Sequence, residues 1–286
     1  MDDFAVQSAA FAARIERELQ EGRLSFPTVL ELSVRIKQLA DDPNSSLRDI
    51  ANAVRAEPVL SAKTLRMANT VQLNPYHAPI TAVNDAVVRV GLAALRCLAY
   101  AVAAEQLARD HRSGRMRLVA SGLWLHTVDV ACWAYALAAE LRVANPDTAL
   151  LAGMMRTIGQ FYLLARAADY PALEQDMDRF AEFVATWSEP VGRAILESFE
   201  LPDSIQDAFD DAELYGDVWP PSDLGDVLFI AGLAAETPNP FDGMLGLTHR
   251  QELLEACTGG IDRTRLDALI EAARATKETI LSAVRS

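Results

Sequence analysis

The segment 118–142 constrains this chain more than any other. It carries small or apolar side chains nearly all the way round, with few charges among them. A helix that is apolar on every side must be wrapped by other elements, so 118–142 is expected to form a buried central helix. The rest of the sequence supplies the wrapping. Apolar residues recur at helical spacing almost everywhere, and no stretch alternates apolar and polar residues as a half-buried strand would. Hydrophobic residues make up 51% of the chain and aromatics only 7%, with alanine a large part of the apolar share. Small side chains with high helix propensity suit close helix packing. The reading is an all-α fold, and 286 residues are enough to bury a sizeable core.

The helix boundaries can be followed along the chain. Residues 4–21 form an amphipathic helix that stops at Gly22, and a second follows Pro27 with Val29, Leu30, Leu32, Ile36 and Leu39 at helical spacing. The string DDPNSS breaks that helix, and Ser46 with Asp49 reads as a capping box. Glu57-Pro58 starts a further helix that reaches Asn69, and the loop QLNPYHAPI then holds Tyr76 and His77 between two prolines. Thr81 is expected to cap the next helix, with a bend at Gly91 before the apolar run 92–104. The polar break RDHRSGR, 109–115, is the plausible subdomain boundary. Asn145-Pro146-Asp147, Pro171, Ser188-Glu189-Pro190, Pro202 and Ser222 each mark helix starts. TPNPFDGMLGLT reads as a loop, and a last helix runs from Asp262.

Charge and cysteine content narrow the function. Forty acidic against 26 basic residues give a net charge of −14, and the bases are scattered among acids. Such a field repels phosphate backbones, so nucleic acid is not an expected partner. Cys97, Cys132 and Cys257 lie far apart in helical segments and read as buried thiols of a reducing compartment. The N-terminus begins with acids and lacks the order of a signal peptide, and the longest uncharged apolar runs are too short for a bilayer. A soluble cytoplasmic protein without membrane association is expected. GLWLH is not a nucleophile elbow, no glycine-rich phosphate loop follows a strand, and His77, His111, His126 and His249 form no pair at i, i+4.

FPTVLELSVRIKQLADDPNSSLRDIANAVRAEPVLSAKTLRMAN, 26–69, resembles the opening of HDOD domains, helical modules of bacterial signalling proteins. The similarity continues through API (78–80), DAVVRVGLAALR (85–96), WLH around His126, LLAGMMRTIG (150–159) and VGRAILESFELPDSIQDAF (191–209). The chain is expected to divide into an N-terminal helix over 1–22, a first helical half over 23–112, and a second half over 113–218 that the resemblance relates to HD-type metal-dependent phosphohydrolases. Residues 219–286 fall outside the pattern and are read as a helical extension packed on the domain.

In those hydrolases a histidine on one helix joins an adjacent His-Asp pair and a later aspartate in holding metal ions that activate water. The resemblance places His126 at the first histidine, Arg156-Thr157 at the His-Asp pair, and Glu189 where relatives often carry another histidine. A guanidinium is always charged and cannot ligate a metal. The implied site is therefore degenerate, with no catalytic residue, no metal and no cofactor. Two readings of Arg156 stay open: it reaches solvent, or it pairs with Asp129, one turn from His126, and replaces the lost metal's charge. His126 reads best as a hydrogen-bonded core histidine, and Trp124 and Trp133 as packing. Asn69, Tyr76 and His77 mark a possible partner or effector cleft.

The function implied is a non-catalytic signalling module that binds another signalling protein in trans. Two alternatives remain. One is a sensor of a cyclic dinucleotide or another small effector in the former metal cleft. The other is a phosphohydrolase with a rearranged site using His126, Glu189 and Asp207 or Asp210.

Overall fold

The structure is a computed structural model, and it describes residues 2–22, 44–71, 73–75, 78–92, 113–198, 203–211, 219–247 and 261–284. Ten single positions are also described: 24, 35, 36, 39, 42, 94, 95, 98, 99 and 102. Among the described residues every regular element is a helix. The all-α expectation holds.

The first helices start where local chemistry places them. Helix α1 (Asp3–Gln20) opens on Asp2, whose carboxylate accepts the Ala5 N–H at 2.7 Å. Helix α2 (Leu47–Arg55) opens on the expected capping box: the Asp49 N–H donates to Ser46, and the Ser46 N–H donates back to the Asp49 carboxylate at 2.8 Å. Glu57 caps α3 (Pro58–Ala68), which ends at Asn69. Helix α4 (Val83–Val90) closes on Gly91 at φ +80°, a conformation open to glycine. Thr81 does not cap α4; Ala82 holds that position and has no side-chain oxygen to offer. Most of the helix expected after Pro27 and of the run 92–104 lies outside the described residues.

Helix α5 (Gly114–Leu141) begins a turn earlier than its apolar pattern, because Ser113 caps it, and it ends at Arg142 in a left-handed conformation. From Leu123 to Ala138 only Leu125 and Tyr135 are not buried, as the all-round apolar pattern requires. Trp124, Trp133 and Cys132 are all in the core. Helix α6 (Pro146–Met155) lies so close to α5 that a Cβ on Gly153 would stand 2.6 Å from the Ala131 Cα. Helix α7 (Ile158–Ala167), a 3₁₀ turn (Pro171–Gln175) and α8 (Met177–Ser198) follow.

Two sequence expectations fail beyond α5. Ser188-Glu189-Pro190 does not start a helix; α8 runs straight through Pro190. Its buried stripe of Phe180, Val184, Val191 and Ile195 crosses the proline, and packing on both sides holds a helix that the missing N–H weakens. The TPNPFDGMLGLT stretch is not all loop either. Asn239 caps a short helix, Pro240–Met244, by accepting the Phe241 N–H at 3.0 Å.

Helices α9 (Asp203–Asp211), α10 (Leu224–Ala234), α11 (Pro240–Met244) and α12 (Arg263–Val284) follow among the described residues. Helix α5 is the hub, in contact with α6, α7, α10, α11 and α12, and α12 also lies against α3. No helix of the described residues is long and apolar enough to cross a membrane.

Helix α1 is fastened to the second half by Phe11, which stacks on Tyr170 and Phe183, and by Arg14, which bridges Glu18 and Asp169 at 2.9 Å each. The buried Tyr162 hydroxyl donates to the Glu18 carboxylate. Burial first, and then this bond to Glu18, push the phenol up to about 12. The fold therefore favours the neutral phenol. Its contribution to stability should be whole below the ordinary tyrosine value near 10 and should be lost as pH rises toward 12. Denaturant unfolding at stepped pH should show this loss in the wild type and not in Tyr162→Phe. Parallel pH curves for the two proteins would contradict the assignment.

Candidate functional site

The junction between α6 and α7 sets up the site. Arg156 closes α6, and Thr157 precedes α7 with φ −107° and ψ 15°, so the chain turns between two helices at these two residues. Beside the turn opens a cleft of about 720 Å³. Its walls come from α5, α7, α8, α9, α10 and the segment 239–247. It is the size of small-molecule sites and carries both polar groups and apolar residues such as Phe209 and Phe229.

Four residues singled out in the sequence meet here: His126, Arg156, Thr157 and Glu189 all line the cleft. His126 is buried, and its Nδ1 lies 2.8 Å from the Thr237 carbonyl oxygen. A carbonyl only accepts, so Nδ1 carries the proton. Thr157 is buried with its hydroxyl 2.5 Å from that of Thr127. Thr127 donates to the Leu123 carbonyl at 2.8 Å, so Thr157 donates to Thr127. Arg156 is half-buried on the cleft wall. Glu189 is on the rim, paired with Arg193 one turn along α8 at 3.0 Å, and both side chains are at least half exposed. Such a pair contributes little to stability.

Asp129 has a different partner from the one the sequence suggested. Its buried carboxylate takes Lys277 of α12 at 2.6 Å on one oxygen and the Thr237 N–H at 2.8 Å on the other. Of the two readings of Arg156, the one that pairs it with Asp129 gives way here: the counter-charge of this carboxylate comes from the C-terminal helix. Helical spacing showed that an acid on an apolar helix needs a cation, but which cation is settled by how a distant helix docks.

Asn69 is not on the cleft wall. Its amide donates to the Leu65 and Ile80 carbonyls at 2.8 Å each and accepts the Ile80 N–H at 2.9 Å, which ties down the loop after α3. Tyr76 and His77 lie outside the described residues, as does the side chain of Asp210. Asp207 is exposed, while Gln206 and Phe209 of the same helix face the cleft.

Sequence reasoning missed the segment 236–247 as part of the site. Asn239 is buried on the cleft wall and donates to the Gln160 side chain at 3.0 Å, joining this segment to α7. The signal was present: Asn239-Pro240 repeats the Asn-Pro helix start at Asn145-Pro146.

The donor set can be tested against a divalent ion. Arg156 brings a permanent positive charge, Thr157 a hydroxyl held by Thr127, and Glu189 a carboxylate already paired with Arg193. Among the described residues no group of three or more His, Cys, Asp or Glu side chains is placed to hold a metal ion. These residues do not fit one.

Residues 26–213 match the model of the HDOD domain family. No curated protein matches the chain significantly. Among solved structures, the chain is similar to a protein from Shewanella amazonensis SB2B provisionally named a metal-dependent phosphohydrolase. The identity is 22% and the TM-score 0.66, with 96% of this chain and 99% of that one covered. It is also similar to an HDOD domain protein of unknown function from Geobacter sulfurreducens, at 20% identity and TM-score 0.58 over 94% and 97% of the two chains. A third match is a protein from Marinobacter aquaeolei VT8 provisionally named in signal transduction, at 20% identity and TM-score 0.52 over 96% and 66%.

Proposed function

The chain belongs to the HDOD domain family, and from that premise we propose that it is a non-catalytic signalling module that works by binding. The observation that carries the reading is the pair Arg156-Thr157 on the cleft wall beside His126. Hydrolysis by a bound metal needs several neutral or anionic donors converging on one point and an open position for water. Here a guanidinium and an internally bonded hydroxyl occupy two of the positions that the family resemblance gives to metal ligands. The similarity to a protein provisionally named in signal transduction supports the signalling role. The partner is another signalling protein met in trans.

A second reading is favoured by the cleft itself, which at about 720 Å³ has room for a small effector. Titration calorimetry of the full chain with cyclic dinucleotides and nucleoside phosphates separates the two readings.

The purified protein should hydrolyse neither a phosphodiester nor a nucleoside phosphate, with or without added Mn²⁺. Activity that appears with Mn²⁺ and disappears in His126→Ala would end the non-catalytic reading.

A further inference from the structure

We propose that the C-terminal helix α12 positions one wall of the cleft, acting through the ion pair Lys277–Asp129 and the single residue Thr237. The inference rests on reading the cleft as a binding site, and it adds how that site is controlled.

Both peptide groups of Thr237 are held by α5. Its N–H donates to Asp129 at 2.8 Å, and its carbonyl accepts from His126 Nδ1 at 2.8 Å. The two holders are one helical turn apart, so they grip the strand of chain from the same face. Two residues later Asn239 donates to Gln160 at 3.0 Å, and the chain continues through Asp242, Gly246 and Leu247 along the cleft. Where Thr237 sits therefore fixes where this wall sits.

The Asp129 side chain is 4% exposed, so its charge needs a cation beside it. Lys277 supplies that cation at 2.6 Å. One turn before it on α12, Arg274 reaches Glu236, the neighbour of Thr237, at 2.9 Å. Helix α12 thus meets the segment directly at Glu236, and at Thr237 only through Asp129 of α5. If α12 shifts away, Asp129 loses its counter-charge, the grip on Thr237 weakens, and the wall carrying Asn239 is released. Linkage makes the effect reciprocal: an occupant that fixes the wall also favours the docked helix. A partner that draws α12 away would change what the cleft can hold.

Hydrogen exchange followed by mass spectrometry on the full chain tests this with no ligand or partner present. Its failure would leave the non-catalytic reading standing, and hydrolytic activity would leave the coupling standing. In Lys277→Met, amides in 236–241 should exchange at least about 10-fold faster than in the wild type, with α1 and α8 unchanged. Faster exchange confined to α12, with 236–241 at the wild-type rate, overturns the proposal. Should this variant unfold or exchange faster everywhere, Lys277→Gln decides, because it keeps the Asp129 acceptor for Thr237 and a donor on α12 while removing the charge. Release of 236–241 with α12 still protected supports the proposal, and an unchanged 236–241 segment overturns it.

Discussion

Gly159→Ala should lower the free energy of unfolding by about 3 kcal/mol, the upper end for overpacking a filled interior. A Cβ at this position would stand 1.9 Å from the Ser188 carbonyl oxygen and 3.0 Å from the Gly192 nitrogen. Both obstacles are main-chain atoms of α8, so no rotamer change relieves the clash. Relief requires α7 and α8 to separate, which would also pull Thr157 away from Thr127 and disturb the cleft wall. Gly192→Ala is the control. Its Cβ would come no nearer than 3.7 Å to Gly159, an ordinary contact, and alanine is the better helix former. It should change stability by no more than about 1 kcal/mol in either direction. Denaturant unfolding of the two variants should therefore separate them clearly. A Gly159→Ala midpoint equal to the wild type would show that α7 and α8 are not in this close contact.

Asp129→Ala should cost about 3 kcal/mol, the lower end for breaking a buried ion pair. The lower end applies because the Lys277 side chain is 21% exposed and can turn its ammonium to water once the carboxylate is gone. The Thr237 N–H loses its acceptor in the same variant. Lys277→Ala removes the cation and leaves the carboxylate, at 4% exposed, the worse stranded of the two. In a double-mutant cycle of Asp129→Ala and Lys277→Ala the effects should fall short of additivity by about 2 kcal/mol. Additive losses would mean that the two charges do not interact, and the C-terminal helix would then be fastened by apolar contacts alone.

These two positions also show how far the sequence could be read. Gly159 closes the LLAGMMRTIG string, but nothing local reveals that the atoms against it belong to Ser188 and Gly192. Asp129 announced a missing cation by its place on an apolar helix. The family resemblance offered Arg156, at the implied metal site beside His126, and the fold supplies Lys277 from its C-terminal helix. Helix periods, the capping box at Ser46 and the turn at Gly91 were legible because each depends on a few neighbouring residues. Pro190 misled because a local breaker was outweighed by a buried stripe extending on both sides. Of the site, His126, Arg156, Thr157 and Glu189 were found through family resemblance, and the cleft does bring them together. Thr237, Asn239 and Gln160 were not, since their roles arise only when the segment after α10 folds back over α5 and α7.

The cleft beside His126 should bind its occupant without a catalytic metal, and equilibrium metal binding reads this out. The full chain, stripped with a chelator and dialysed to equilibrium against Mn²⁺, should retain no stoichiometric metal. His126→Ala should behave in the same way, because in the wild type the neighbouring positions hold Arg156 and Thr157 where the chemistry needs ligands. One or two Mn²⁺ ions retained per chain, and lost in His126→Ala, would contradict the account.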